Sequence, residues 1–264
     1  MENAPKPLLS IATCVLNARD DFVETALSLP ALLPDWIEWI VVDGGSTDGT
    51  YEAVTSDARV TRHVSEPDPG VYYAYNKALA LATGSYIWYL NAGDTAEQAT
   101  LATLREPLEM AVNQGSNRVL CFAVNMQSGG WIWNPEPTRM LDGMSVPTPG
   151  VLAPRAALVN LRGFDTAYRI ASDYDIWLRL FMASPKQFES RVPVLANYKG
   201  GGLSAKHRHL AFFEECVAQL RHDSNLWANC LLRAARRAVF DLDPNTIPHK
   251  RWKLALRLGK RFLY

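Results

Sequence analysis

Three apolar runs in the first part of the chain each stop abruptly on a polar or glycine-bearing turn. Leu8 to Leu16 ends on Asn17, Trp36 to Val42 on Asp43-Gly44-Gly45, and Tyr86 to Leu90 on Asn91-Ala92-Gly93-Asp94. Runs of this length, rich in β-branched and aromatic residues, read as strands buried on both faces. Helical segments separate them. Asp20 or Asp21 can cap a helix through Phe22-Val23 and Ala26-Leu27, and a short helix is expected over Tyr51 to Val54. A third strand is expected over Val60 to Val64, and Tyr72 to Ala82 has helical spacing ended by Gly84. Strand alternating with helix implies a parallel sheet with right-handed crossovers, so the fold class is α/β, a Rossmann-like, mostly parallel sheet flanked by helices. Ligands of such sheets bind outside the carboxyl ends of the strands, which is where Asp43 and Asp94 fall.

Beyond Asp94 the pattern loosens. A polar helix is expected over Glu97 to Val112, then a strand over Arg118 to Val124. Prolines 135, 137, 147 and 149 make Trp131 to Pro149 an ordered loop, and long loops in compact domains are more often functional than idle. Helices over Ala156 to Leu161 and Asp173 to Met182 precede a last strand, Arg191 to Tyr198. From Lys206 onward the chain reads as helical and increasingly basic, with 12 Lys/Arg against 5 Asp/Glu from Ala205 to Tyr264, although the whole chain of 264 residues has zero net charge. The expected organisation is one unit over residues 1–204 and a helical basic extension over 205–264. Cys14, Cys121, Cys216 and Cys230 have no metal or redox spacing and read as packed thiols of a cytoplasmic protein. No apolar run approaches a membrane span, and the N-terminus lacks a signal-peptide layout.

Three acidic elements stand at strand or helix ends. Asp43 is placed to hydrogen-bond a nucleobase or ribose, or equally to satisfy backbone amides in its own glycine turn. Asp94 offers a hard oxygen for a divalent metal against a diphosphate, or a turn cap. Asp173 and Asp175 can favour the start of a helix, or one of them can accept a proton from an incoming hydroxyl.

The segments Ser10-Ile-Ala-Thr-Cys-Val-Leu-Asn17, Val41-Val-Asp-Gly-Gly-Ser-Thr-Asp-Gly-Thr50, Ser65-Glu-Pro-Asp-Pro-Gly-Val-Tyr72, Ala74-Tyr-Asn-Lys-Ala-Leu79, Ala82-Thr-Gly-Ser-Tyr86 and Leu90-Asn-Ala-Gly-Asp94 resemble, in order and spacing, those of family 2 glycosyltransferases of the GT-A fold. Gly163-Phe-Asp165 with Ile170-Ala-Ser-Asp-Tyr-Asp-Ile-Trp-Leu-Arg179 looks like that family's acceptor-side motif. The resemblance spans about residues 8 to 204 and implies an inverting transfer of sugar from a nucleoside diphosphate donor, of the kind that builds bacterial surface polysaccharide or glycolipid. It implies that Asp43 contacts the nucleoside beside Thr13 and Asn17, that Asn91 and Asp94 stand at the metal-binding DxD position with Mg²⁺ or Mn²⁺, and that Asp173 is the general base. Asp175 would orient neighbours, while Asn76 and Lys77 would lie on the helix that approaches the diphosphate. The chain departs from the family pattern at Asn91 and Gly93, where acids are usual, at Ser172, where an acid often precedes the base, and at Thr148-Pro149, where a His is common before the glycine.

The expected partners are a UDP-, GDP- or dTDP-linked sugar and a glycan or lipid-linked acceptor. Trp131, Trp133 and glycines 200 to 202 can shape the acceptor cleft. Basic and large apolar residues interleave over Lys250 to Tyr264, which suits an anionic membrane surface at the inner face, or a last helix packed on the core. No RNA-recognition motif accompanies that basic bias, so nucleic acid is not an expected partner. Two other readings compete. A nucleotidyltransferase would want a glycine-rich, basic phosphate loop after the first strand, which Thr13 to Asn17 is not. A non-catalytic nucleotide-sugar-binding or scaffold protein would keep the pocket without turnover.

Overall fold

The computed structural model describes the backbone of residues 6–241 and the side chains of residues 6–234. They divide into two compact units between Glu215 and Cys216. The first unit runs β1 (Leu9–Val15), α1 (Arg19–Ser28), β2 (Ile37–Asp43), α2 (Thr50–Ser56), β3 (Val60–Ser65), α3 (Val71–Leu81), β4 (Tyr86–Tyr89), β5 (Thr95–Ala96), α4 (Gln98–Ala102), α5 (Arg105–Asn113), β6 (Val119–Met126), β7 (Trp131–Trp133), β8 (Val151–Pro154), α6 (Arg155–Asn160), α7 (Ser172–Ala183), β9 (Phe188–Tyr198) and α8 (Leu203–Lys206). Helix α9 (Arg208–His222) begins in it, and α10 (Trp227–Asp241) belongs to the second unit.

One sheet organises the first unit, in the order β3-β2-β1-β4-β8-β6-β9-β5, with β7 paired to β6. Strands β3, β2, β1 and β4 are all parallel. The sheet then becomes mixed: β8 joins β4 and β6 antiparallel, while β9 runs parallel to β6. Every residue of β1, β2 and β4 is buried, which is why their sequences show no alternation. The Phe22 and Trp39 rings stack at 5.5 Å in the core beneath them. Because β1, β2 and β4 share one direction, Asn17, Asp43 and the Asn91–Asp94 turn emerge at the same edge. The chain order reverses at β1, whose neighbours are β2 and β4, and such a switch point leaves a crevice at the carboxyl edge.

Three elements differ from the sequence expectation, each for a local reason. The helix expected over Glu97 to Val112 is two helices, because Pro107 has no N–H to give Thr103 and its ring would press on that carbonyl in a continuous helix. Trp131 to Pro149 holds the short strand β7 and two 3-10 turns, Pro137–Asp142 and Thr148–Gly150. Strand β9 starts earlier than Arg191 and slips against β6: Phe122 faces Arg191 while Ala123 faces Val194. Pro193, which cannot donate to the ladder, sits in that bulge. The basic segment Lys250 to Tyr264 lies outside the described residues. Among the described residues no helix is long and apolar enough to cross a membrane.

Candidate active site

The loops after β1 and β2 are laced together. Asn17, in the left-handed region at φ 46°, accepts from the Thr47 N–H at 2.9 Å, and its own N–H donates to Ser46 Oγ at 2.7 Å. Asp43 is fully buried. Its carboxylate accepts from the N–H groups of Gly45 (3.2 Å) and Ser46 (3.0 Å) and from the hydroxyls of Ser46 and Ser65. The turn-satisfying role therefore occupies this carboxylate, which shapes the edge of the crevice through the backbone it fixes. Thr13 is likewise committed: its hydroxyl donates to the Leu90 carbonyl at 2.7 Å and accepts from Trp39 Nε1 at 3.0 Å.

The turn after β4 carries the oxygens suited to a cation. Asn91 donates from Nδ2 to the Tyr75 hydroxyl at 2.5 Å, while its Oδ1 is buried with no hydrogen-bond partner. Asp94, 5% exposed, accepts the Lys199 N–H on Oδ1 at 3.1 Å. Burial first, and then the charges of Asp21 and Glu24, push its carboxyl up to about 7. Gly93 between them has φ +93°, and a Cβ there would meet the Lys199 side chain at 3.2 Å. Among the described residues no group of three or more His, Cys, Asp or Glu is gathered for a metal. An orphaned amide oxygen beside a carboxylate short of counter-charge fits a divalent ion as a partial ligand set, with the remaining positions left to a ligand's own oxygens.

Asp173 opens α7 and is partly buried. Its Oδ2 accepts from Thr148 Oγ1 at 3.0 Å, and its Oδ1 accepts from the Tyr174 N–H at 2.9 Å and the Tyr72 hydroxyl at 3.0 Å. Burial raises this carboxyl above the ordinary range even against those donors. Asp175, two residues on, points away and pairs with Arg179 at 2.8 Å; that guanidinium also holds the Leu161 and Gly163 carbonyls. Asp173 and Asp94 share surroundings. Burial, then Cys14, Asp173 and Asp94, raise the Tyr75 phenol; burial, then Asp94 and Asp173, raise that of Tyr198.

Helix α3 supplies the floor. Tyr75 stacks on Tyr89 at 4.4 Å, Tyr72 stacks on Phe164 at 5.9 Å, and Phe164 meets Trp177 edge-on at 6.5 Å. Asn76 uses both ends of its amide on Phe164, donating to its carbonyl at 2.8 Å and accepting its N–H at 2.9 Å. It anchors the loop Gly163-Phe164-Asp165, and these two bonds use one of its two amide N–H donors. Lys77 is ion-paired with Glu66 (2.6 Å) and Asp68 (2.7 Å). Contacts thus run from Asn91 through Tyr75 and Tyr72 to Asp173, while Thr13, Asp43 and Asn76 bond to the strands and loops around them.

Against known proteins, residues 10–131 match glycosyl transferase family 2. That match covers 122 of the 264 residues and takes in the strands β1 to β4 and their loops. A PGL/p-HBAD biosynthesis glycosyltransferase of Mycobacterium bovis is 28% identical over 218 residues, covering 75% of this chain and 79% of the relative. Among solved structures, S. aureus TarS 1-349 in complex with UDP-GlcNAc superposes with a TM-score of 0.66 at 16% identity, over 94% of this chain and 78% of that one. Glucosyl-3-phosphoglycerate synthase from Mycobacterium tuberculosis, in complex with Mn²⁺, UDP and glucosyl-3-phosphoglycerate, gives 0.58 at 16% identity, over 82% and 79%. The fold is therefore that of the GT-A glycosyltransferases.

Several residues around Asp173 and Asn91 escape a reading of the sequence. Tyr72 and Tyr75 share one face with Asn76 and Leu79, a spacing that looks like plain core until the hydroxyls are placed. Glu214 on α9 is buried and takes the N–H groups of Arg169, Ile170 and Ala171 at 2.8 to 3.0 Å, fixing the loop that leads into Asp173. Nothing local in the sequence marks it. Thr148 stands out only as a departure from the family pattern.

Proposed function

We propose that this chain transfers a sugar from a nucleoside diphosphate donor to a hydroxyl of a glycan or lipid-linked acceptor, with inversion and with a divalent metal. The observation that supports the reading is the run of contacts from Asn91, in the turn that holds Asp94, to the Tyr75 hydroxyl, from Tyr75 edge-on to Tyr72, and from the Tyr72 hydroxyl to Asp173. Asp173 Oδ2 accepts the proton of the acceptor hydroxyl as that oxygen bonds to the anomeric carbon. The bond from that carbon to the diphosphate breaks on the opposite face, and its electron pair leaves with the nucleoside diphosphate. A raised carboxyl pKa brings the base closer to the operating pH, where general-base catalysis is efficient. Mg²⁺ or Mn²⁺ held by Asp94 and Asn91 would neutralise charge on the departing diphosphate.

The UDP-GlcNAc bound to TarS and the UDP bound to glucosyl-3-phosphoglycerate synthase support a nucleoside diphosphate donor, and the relatives of PGL/p-HBAD and teichuronic acid biosynthesis support a glycan or lipid-linked acceptor. On the acceptor side, Trp131 is half exposed and its ring lies 6.0 Å from that of Trp133, an aromatic platform suited to the apolar face of a sugar ring. A cytoplasmic site at the membrane's inner face, reached through the basic C-terminal segment, completes the proposal. Asp173→Asn tests it: the variant should bind nucleotide as the parent does and lose about 10²–10⁴-fold in turnover. Product formation at the parent rate would refute the assignment.

A further inference from the structure

The hydrogen bonds on Asp173 run in a fixed direction on one oxygen and a free direction on the other. Trp177 Nε1 can only donate, and it gives its proton to Thr148 Oγ1 at 3.2 Å. The single proton of Thr148 is thereby turned to Asp173 Oδ2, at 3.0 Å. Trp177 is buried and stands one turn beyond Asp173 on α7, so donor and carboxylate are carried by the same rigid helix. Thr148 is placed by the 3-10 turn Thr148–Gly150, which Trp88 Nε1 pins by donating to the Pro149 carbonyl at 2.7 Å. On Oδ1 the Tyr72 hydroxyl divides its one proton between the carboxylate at 3.0 Å and the Ile170 carbonyl at 2.5 Å. Oδ1 thus faces two donors, whereas Oδ2 has one donor and a lone pair to spare.

We propose that Thr148, its hydroxyl turned by Trp177, is a positioning residue that aims the open lone pair of Asp173 Oδ2 at the acceptor hydroxyl. This rests on the reading of Asp173 as the base. Thr148 takes no proton itself, since its own is already committed to the carboxylate. Tyr72 is the adaptable partner: it donates to Oδ1 while the carboxyl is ionised, and with its proton on the Ile170 carbonyl it can accept from a protonated one. The other titratable groups that feel the charge of Asp173 are Tyr75 from α3 and Tyr198 from β9.

A ¹³C-carboxyl NMR titration of the full chain reads the positioning without any assay of turnover; Asp173→Asn identifies the resonance by its loss. Thr148→Val keeps the shape and removes the donor, so the Asp173 titration should rise by about one pH unit, roughly tenfold less carboxylate at a fixed pH below it. Thr148→Ser should restore the parent value. Trp177→Phe should raise it by less, because the Thr148 hydroxyl is then free to turn away. The acid limb of the kcat profile should move with the titration, at unchanged KM for donor. An unmoved titration in Thr148→Val, or a Ser variant that behaves like Val, would overturn the positioning role while an inactive Asp173→Asn left the base intact. An active Asp173→Asn would remove the base reading, and this inference with it.

Discussion

Asp94 and Asp173 are two carboxylates raised by burial and held differently by their neighbours. Three donors hold Asp173, none of them charged, so its charge is stabilised without being paired away. Asp94 has one backbone donor and two acids nearby, and is pushed from its ordinary 3.8 to about 7. Between those values the folded protein binds more protons at this site than the unfolded chain does. The contribution of Asp94 to stability therefore falls as pH rises from about 4 to 7. A bound divalent cation favours the carboxylate and reverses that sign. We expect Mn²⁺ with nucleoside diphosphate to raise Tm more at about pH 8 than at about pH 6, and Asp94→Ala to abolish the difference. A metal-dependent rise that is the same at both pH values, or that survives in Asp94→Ala, would contradict metal binding there.

At the scale of elements, the entry to β4 is held by a buried acid. Glu38 on β2 accepts from Ser10 Oγ (2.6 Å), the Thr83 N–H (2.6 Å) and hydroxyl (2.9 Å) and the Gly84 N–H (3.0 Å). Against the upward push of burial, the Ser10, Thr83 and Gly84 donors hold it below the usual carboxylate range. A Cβ on Gly84 would lie 2.6 Å from Ser10 Oγ and 2.8 Å from Ser10 N. Gly84→Ala should therefore cost about 1–3 kcal/mol, a fall in Tm of roughly 2–4 °C for each kcal/mol, and denaturant or thermal melts measure it. An unchanged melt would mean that β4 enters the sheet otherwise than described. Strands β1, β2 and β4 were legible in the sequence because burial on both faces writes an unbroken apolar run. Strands β5, β7 and β8 were not, since two to four residues carry no period. Asn91, Asp94 and Asp173 were legible as polar groups at element ends. The turn role of Asp43 was legible as well, since Gly45 and Ser46 follow it in its own loop; the commitments of Thr13 and Asn76 were not, because a side chain's partner across the sheet or on a distant loop leaves no local mark.

For the whole molecule, the feature whose charge bears most on partners is the basic C-terminal segment of the sequence. Twelve Lys/Arg against five acids from Ala205 onward, with the apolar-basic interleave of Lys250 to Tyr264, suits a surface of anionic lipid. Flotation with anionic vesicles should be lost on deleting residues 246–264 and weakened by salt, while neutral vesicles should bind little in either case; flotation unchanged by the deletion would rule out this route to the membrane. The claim on which the rest depends is the donor crevice itself, and thermal stability against UDP, GDP and dTDP, each with Mn²⁺ and again with EDTA, tests it most directly. One nucleotide at ~100 times its dissociation constant should add roughly 2.7 kcal/mol, a rise of several degrees, and EDTA should remove it. No rise with any of the three at millimolar concentration would contradict an intact nucleoside diphosphate site.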